Sequence, residues 1–230
     1  MYLFRKFQQE RNMKNTLTAV FVLLLFLCAC KYKTTDEGSI IYHIEYQLPD
    51  SLKRYAKYLP KVATVYFKGD STVSIQKSNQ ESTTIITDKK TNFMRVLLNS
   101  AFRQYVVDYN KADQAEEIGT LPPHTTTKQK DIKTIAGYQA AKYILQDKLS
   151  GETTEAWFTK DISILPNSLT MVLDSTLGVP LAFTISQNVM KMKVTVQQIK
   201  FGPVPAAVFS TPKGYKLLTP QQLREMPVQN

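Results

Sequence analysis

The sequence predicts a mainly β fold: an antiparallel sheet curled into a barrel or half-barrel, with one or two short helices. Three observations carry this. Apolar residues alternate with a period of two along most of the chain; such runs recur every 8 to 12 residues between Gly, Asn, Asp and Ser turns; and there is no long βαβ spacing. About ten strands are expected on this pattern.

Residues 1–29 read as a signal peptide. Arg5, Lys6, Arg11 and Lys14 make a basic n-region, and residues 17–29 are apolar apart from Thr18. These 13 residues are too few for a span of roughly 20, yet they fit an h-region of about 7 to 15. Leu27-Cys28-Ala29-Cys30 closes the run and looks like a lipobox, in which Cys30 becomes the acylated N-terminus. A short transmembrane anchor and an ordinary cleaved signal are the alternatives, and Met13 offers a second start. With more than one acyl chain, at about 0.8 kcal/mol per buried methylene, the anchor is permanent. Residues 30–38 then form the lipidated end and a polar tether. Cys28 and Cys30 are the only cysteines, so the domain beyond them is held by its core without a disulfide.

The domain itself is expected over residues 39–217. Ile40, Tyr42, Ile44, Tyr46 and Leu48 share one strand face, with His43, Glu45 and Gln47 on the other. Pro49-Asp50-Ser51 ends that strand and caps an amphipathic helix over 51–59, in which Leu52, Tyr55, Ala56 and Leu59 line up at helical spacing. Residues 62–68 and 71–76 flank Gly69-Asp70, a two-residue hairpin turn. Strands at 83–87, 93–98 and 101–109 continue the meander through Asp88-Lys89-Lys90 and Asn99-Ser100. Between residues 110 and 130 the pattern fails. Pro122-Pro123 and a threonine triplet mark a long loop of the kind found at an opening, with His124 in it as an inert, solvent-exposed side chain.

Strands resume at 138–146 and 153–159 around Ser150-Gly151, while 162–172, interrupted by Pro166, is open between strand and loop. Residues 181–186 follow. The longest strand, 189–201, sets Met190, Met192, Val194 and Val196 against Lys191, Lys193, Thr195 and Gln197. Pro203 and Pro205 end it, residues 206–209 make one helical turn, and residues 218–230 form a frayed or docked tail.

Four of the 29 Lys/Arg and one of the 19 Asp/Glu precede Cys30, which leaves 25 basic and 18 acidic residues and a net charge of +7. In an exported protein that balance points to anionic head groups rather than nucleic acid, or simply to solubility. Catalytic stock is poor: two histidines, no cysteine after Cys30, no Gly-x-Ser-x-Gly, no HExxH and no Gly-rich phosphate loop. No cofactor and no catalytic residue are expected. His43 and Glu45, two apart on a strand, form half of a metal site or a solvated polar face; Asp113, Glu116 and Glu117 read as a charged turn. What the strands do carry is bulk. Tyr66, Trp157, Phe183, Met190, Met192, Val194 and Val196 are the candidate lining of an apolar cavity, the bland alternative being that they fill a core.

Gly137-Tyr138 with Tyr143, then Glu155-Ala156-Trp157-Phe158-Thr159, Gly178-x-Pro180-Leu181 and Phe209-x-x-Pro212-x-Gly214-Tyr215 resemble a domain-of-unknown-function family of Gram-negative envelope lipoproteins. That family is similar to the LolA, LolB and RseB superfamily of lipoprotein carriers and sensors, over residues 40–215. The resemblance implies an unclosed barrel with helices plugging its concave side, an apolar cavity for acyl chains, and neither cofactor nor catalysis. It makes the 51–59 helix a candidate lid through Leu52, Tyr55 and Leu59. An acylated chain is closer to LolB than to soluble LolA, but no exposed apolar loop residue stands out as LolB's membrane-inserting one.

The expectation is therefore a lipoprotein anchored in the outer membrane and facing the periplasm or the cell surface. Its partners are the membrane and a lipid or acylated protein. The alternatives are a structural or protein-interaction lipoprotein without a ligand, and a hydrolase with an unrecognised site.

Overall fold

A computed structural model describes residues 36–119, 123–187 and 190–226. The signal peptide, Cys30 and most of the tether lie outside the described residues. From Asp36 the chain is a compact unit with its own core, which is what a segment needs in order to fold alone.

Twelve strands are described: β1 (Glu37–Gln47), β2 (Val62–Lys68), β3 (Ser71–Lys77), β4 (Glu81–Asp88), β5 (Phe93–Ser100), β6 (Gln104–Tyr109), β7 (His124–Ile135), β8 (Tyr138–Asp147), β9 (Thr153–Thr159), β10 (Val179–Gln187), β11 (Met190–Phe201) and β12 (Lys216–Leu218). They form one sheet in the order β12-β6-β5-β4-β3-β2-β1-β11-β10-β9-β8-β7. Two antiparallel meanders, β1 to β6 and β7 to β11, join where β1 pairs with β11, and β12 adds to β6 in parallel. Helices are α1 (Lys111–Gly119) and α2 (Pro220–Arg224), with 3₁₀ turns at Asp50–Tyr58, Ser175–Leu177 and Ala206–Phe209.

The sheet is unclosed yet must curl. Tyr109 ends β6 and His124 starts β7 ten strand positions away, nearly 50 Å in a flat sheet at about 4.8 Å per strand. The fourteen residues between them, nine of them helical, reach roughly 35 Å at most. Only a curled sheet lets α1 and its flanks bridge the two edges.

Inside the curl, Ile40, Tyr42 and Ile44 of β1 face the same way as Ala63, Val65 and Phe67 of β2 and Val194 and Val196 of β11. They are closed in by an irregular excursion between β9 and β10, residues 160–178, which buries Leu169 and Leu173 against them. Met171 of the same excursion packs on Met94, Val107 and Tyr109 of the far strands, so one segment touches both sides of the curl. A polar pin fixes it: buried Asn167 donates to the Tyr42 hydroxyl at 3.2 Å, while its own Oδ1 accepts from Leu169 N at 3.0 Å. The excursion returns through Gly178, at φ 117°, where a Cβ would run into the Thr159 carbonyl. That close approach is the physical content of the Gly-x-Pro-Leu motif.

The opposite face carries a cover of its own on β2 to β6. There Val73, Ile86, Leu97 and Val106 form a cluster with Tyr66, and Phe209 and Tyr215 from the C-terminal segment lie on it. Arg95 forks onto its cross-strand partner Asp108 at 2.6 and 2.7 Å and donates to Thr211 Oγ1 at 2.8 Å, tying that segment down.

Several expectations change. The 51–59 helix is a 3₁₀ helix with no buried residue, because nine residues without a packed face cannot hold an α-helix. Its Tyr55 is 45% exposed, under Arg54 at 4.8 Å. The 110–130 loop is mostly regular: α1 occupies 111–119 and β7 starts at His124. The plug of the concave side is an irregular chain segment rather than a helix. The β5–β6 turn is Ala101-Phe102, two residues later than Asn99-Ser100, with Ser100 N donating to Arg103 O at 2.8 Å. The tail is docked, through β12 and a capping box of Thr219 with Gln222 that starts α2.

Candidate functional site

The seven side chains expected to line one cavity fall on two faces. Phe183 (2% exposed) and Val194 (0%) are directly paired across β10 and β11, and with Val196 they are close-packed core. Met192 and Met190, half-buried, continue that face towards the strand end. Trp157 alternates with buried Ala156 and Phe158 and so points the other way, beneath Lys133 at 4.0 Å and Lys142 at 5.8 Å. Tyr66 likewise turns from the core of β2 to the outer cluster. These two are corrections to the expected lining: both faces of their strands are covered, so apolar character did not tell which way a side chain points. Leu52, Tyr55 and Leu59 border neither of the inner cavities described next.

The cavity that does open on the inner face measures about 320 Å³. Leu145 of β8, Ile185 of β10, and Met171, Val172 and Leu173 of the excursion form its apolar wall; His124, Asp147, Glu152, Thr154 and Ser186 form a polar side. None of the expected lining residues borders it. His124 is half-buried on the first residue of β7 rather than free in a loop, because β7 pairs there with Asp147 of β8.

The rim is anionic by construction. Asp147 Oδ1 accepts from Ser150 N at 2.8 Å and Leu149 N at 2.7 Å, and these backbone donors hold its carboxyl below the usual aspartate range. The Lys191 ammonium beside Glu152 does the same there. Asp174, which borders a neighbouring smaller cavity instead, is lowered by the Thr176 hydroxyl and amide it caps. His124 adds a smaller Coulomb pull on Asp147 and Asp174. Such a site can seat an apolar group against Leu145, Leu173 and Ile185 and meet a polar head at the rim.

A second cavity of about 90 Å³ lies beside Tyr42 and Asn167 under the excursion. Burial pushes the Tyr42 phenol up to about 12, partly offset by the Asn167 hydrogen bond. Tyr42 is thus a neutral, structural acceptor for Asn167.

On the outer face His43 Nε2 and Glu45 Oε1 do share a side, 3.7 Å apart, but the third group is the Lys193 ammonium, 3.7 Å from the same carboxylate. A cation already sits where a metal would. The structure also shows exposed apolar side chains on hairpin tips that sequence reading missed: Phe102 (96% exposed) and Leu149. Only pairing register distinguishes a tip from a strand, and the composition of these stretches does not reveal it.

The pattern of the family called "Domain of unknown function (DUF4412)" matches residues 51–176, more than half of the chain. The chain belongs to the DUF4412 family. The match runs from the 3₁₀ helix through most of the excursion, so the DUF4412 region holds β2 to β9 and the apolar wall contributed by Met171, Val172 and Leu173. The Gly178 and Phe209 motifs lie beyond it. No curated protein matches the chain. Among solved structures, PNGF-II in a P21 crystal superposes with a TM-score of 0.50 at 13% identity, covering 83% of this chain and 32% of that one. The same protein in a C2 crystal gives 0.48 at 14%, covering 82% and 31%. LprF from Mycobacterium bovis gives 0.34 at 13%, covering 80% and 93%. The chain spans about a third of PNGF-II, and at such identity the likeness is one of fold.

Proposed function

We propose that this DUF4412 chain is a lipid-anchored envelope lipoprotein, stationed at the outer membrane and facing the periplasm, that binds an apolar or acylated ligand without catalysis. The cavity walled by Leu145, Leu173 and Ile185 on the inner face of an unclosed sheet carries this reading. Its volume of about 320 Å³ is at the lower end for ligand pockets, roughly 300 to 1,000 Å³. Because Phe183, Val194 and Val196 are solid, the ligand is a single chain end or a small lipid rather than a whole acylated protein. The leader ending in Cys30 supports the anchor, and the curled sheet is compatible with kinship to the LolA, LolB and RseB group.

Two measurements test it. Metabolic labelling of the full chain with an alkyne palmitate should mark the protein, and Cys30→Ala should abolish the label. Residues 36–230, purified without detergent and extracted with solvent, should release lipid by mass spectrometry. Ile185→Trp, which fills the cavity, should release little. Equal lipid from both, or none from either, would sink the binding reading while leaving the anchor standing.

Two other readings have an observation in their favour. The 12-residue edge strand β7, with Ile132 exposed, favours a protein-interaction role by strand addition. Ser186, His124 and Asp147 around one cavity favour a hydrolase, although no hydrogen bond joins Ser186 to His124 among the described residues. Turnover of acyl esters lost in both Ser186→Ala and His124→Ala would replace the first reading by the last.

A further inference from the structure

We propose that a second groove, at the far end of the inner face, binds a phosphate-bearing lipid headgroup through Arg103. The groove, about 360 Å³, runs between the ends of β4, β5 and β6 and the helix α2. Nothing in the cavity reading above requires it.

Four arginines lie among the described residues, and three have their charge accounted for. Arg95 is forked onto Asp108, Arg224 pairs with Glu116 and Glu117, and exposed Arg54 lies over the Tyr55 ring. Arg103 is half-buried and makes neither an ion pair nor a side-chain hydrogen bond among the described residues. Its planar fork suits two oxygens of a phosphate, and no carboxylate of the groove occupies that place.

The surroundings favour that anion. Ser82, Asn99 and Ser100 supply neutral hydrogen-bonding groups along the groove. Glu81, which also borders it, forms no ion pair with Arg103. The remaining wall is apolar, from Leu98, Leu223 and Met226, so the ligand carries hydrocarbon as well as charge. Phe102, next in the chain and almost fully exposed at the hairpin tip, offers a ring to the same apolar phase. Charge and hydrocarbon at one place favour a bilayer headgroup over free phosphate.

The test is flotation of residues 36–230 with phosphatidylcholine vesicles, with and without about one-third phosphatidylglycerol. The protein should float only with the anionic vesicles. Arg103→Gln should weaken this about tenfold, Arg103→Lys should fall between, and Lys133→Gln, which removes the same charge elsewhere, should change it less than about twofold. The melting temperature of each variant reports whether it has folded, and Arg103→Lys serves if Arg103→Gln has not. Equal losses in the Arg103 and Lys133 variants would reduce the binding to diffuse charge and overturn the site. Absence of flotation by the parent would do the same. Arg103-dependent thermal stabilisation by inorganic phosphate, without flotation, would assign the groove to a soluble anion and overturn the lipid reading.

Discussion

The two sides of the curled sheet are built from similar strands but are covered differently. On the side made by β1, β2 and β7 to β11, twenty buried residues form one cluster, closed by the excursion that leaves β9 and comes straight back into β10. On the side made by β3 to β6 the burial splits into clusters of four and three residues on opposite faces, covered by pieces of the C-terminal segment and, on the inner face, also by Met171 of the excursion. The first cover is local in sequence; the second reaches from Thr211 to Arg95 across 116 residues. The difference teaches that alternation makes a strand, but whichever segment returns over it decides how much of its face is buried.

The two sides should differ most on large-to-small core changes. Phe183→Ala should cost about 3 to 5 kcal/mol and Leu97→Ala about 2, read as urea midpoints at constant slope; equal costs would show the two sides to be equally packed. Tyr42→Phe should cost about 1 to 2 kcal/mol by leaving the buried Asn167 amide short of a partner. It should also change alkaline unfolding. Burial raises the Tyr42 phenol from 10.0 to about 12, so its neutral form stabilises the fold fully below pH 10, and this is lost as pH climbs from 10 towards 12. Stability in that window should fall less steeply in the Phe variant, measured by far-ultraviolet circular dichroism. Phe209→Ala, which thins the outer cover of β3 to β6, should cost about 1 kcal/mol because its ring is only half-buried.

The smallest effect belongs to the β3–β4 edge of the second side. Asp88 accepts from Ser71 at 2.7 Å and from Thr91, which hold its carboxyl below the usual range. Its stabilisation is present above the unfolded aspartate value and lost as pH falls through the lowered one. Asp88→Asn should therefore weaken the fold slightly at neutral pH and not at all in strong acid, in paired urea titrations.

Most strands were legible because one face of each is wet or thinly covered. Ile40, Tyr42 and Ile44 against His43 and Glu45 could be read without a structure, and Gly69-Asp70 fixed a hairpin that forms as expected, with Gly69 at φ 55°. β7 was not legible, since an edge strand with Thr125, Thr127, Lys128 and Lys130 exposed carries polar residues where alternation would show. Tyr66 and Trp157 misled for the opposite reason, having apolar neighbours on both sides. The 320 Å³ cavity escaped because its wall comes from Met171, Val172 and Leu173, in a segment without periodicity whose return path is set by Asn167 and Gly178. The Arg103 groove escaped because an unpaired charge is a property of the surroundings and not of the residue.

The seam between β1 and β11 has a consequence for how the molecule is made. From Gly38 to Gln47, each residue of β1 finds its β11 partner 144 to 163 positions later, from Gln47 with Lys191 to Gly38 with Phe201. During synthesis β1 and its neighbour β2 emerge before the other described strands, and until β11 follows one whole hydrogen-bonding edge of β1 has no strand to meet. Ile40, Tyr42 and Ile44 wait uncovered for the same interval. Nucleation is therefore expected in the two local meanders, with the central junction, of highest sequence separation, closing last. The middle of the finished sheet is the part of the nascent chain that most needs a holding chaperone.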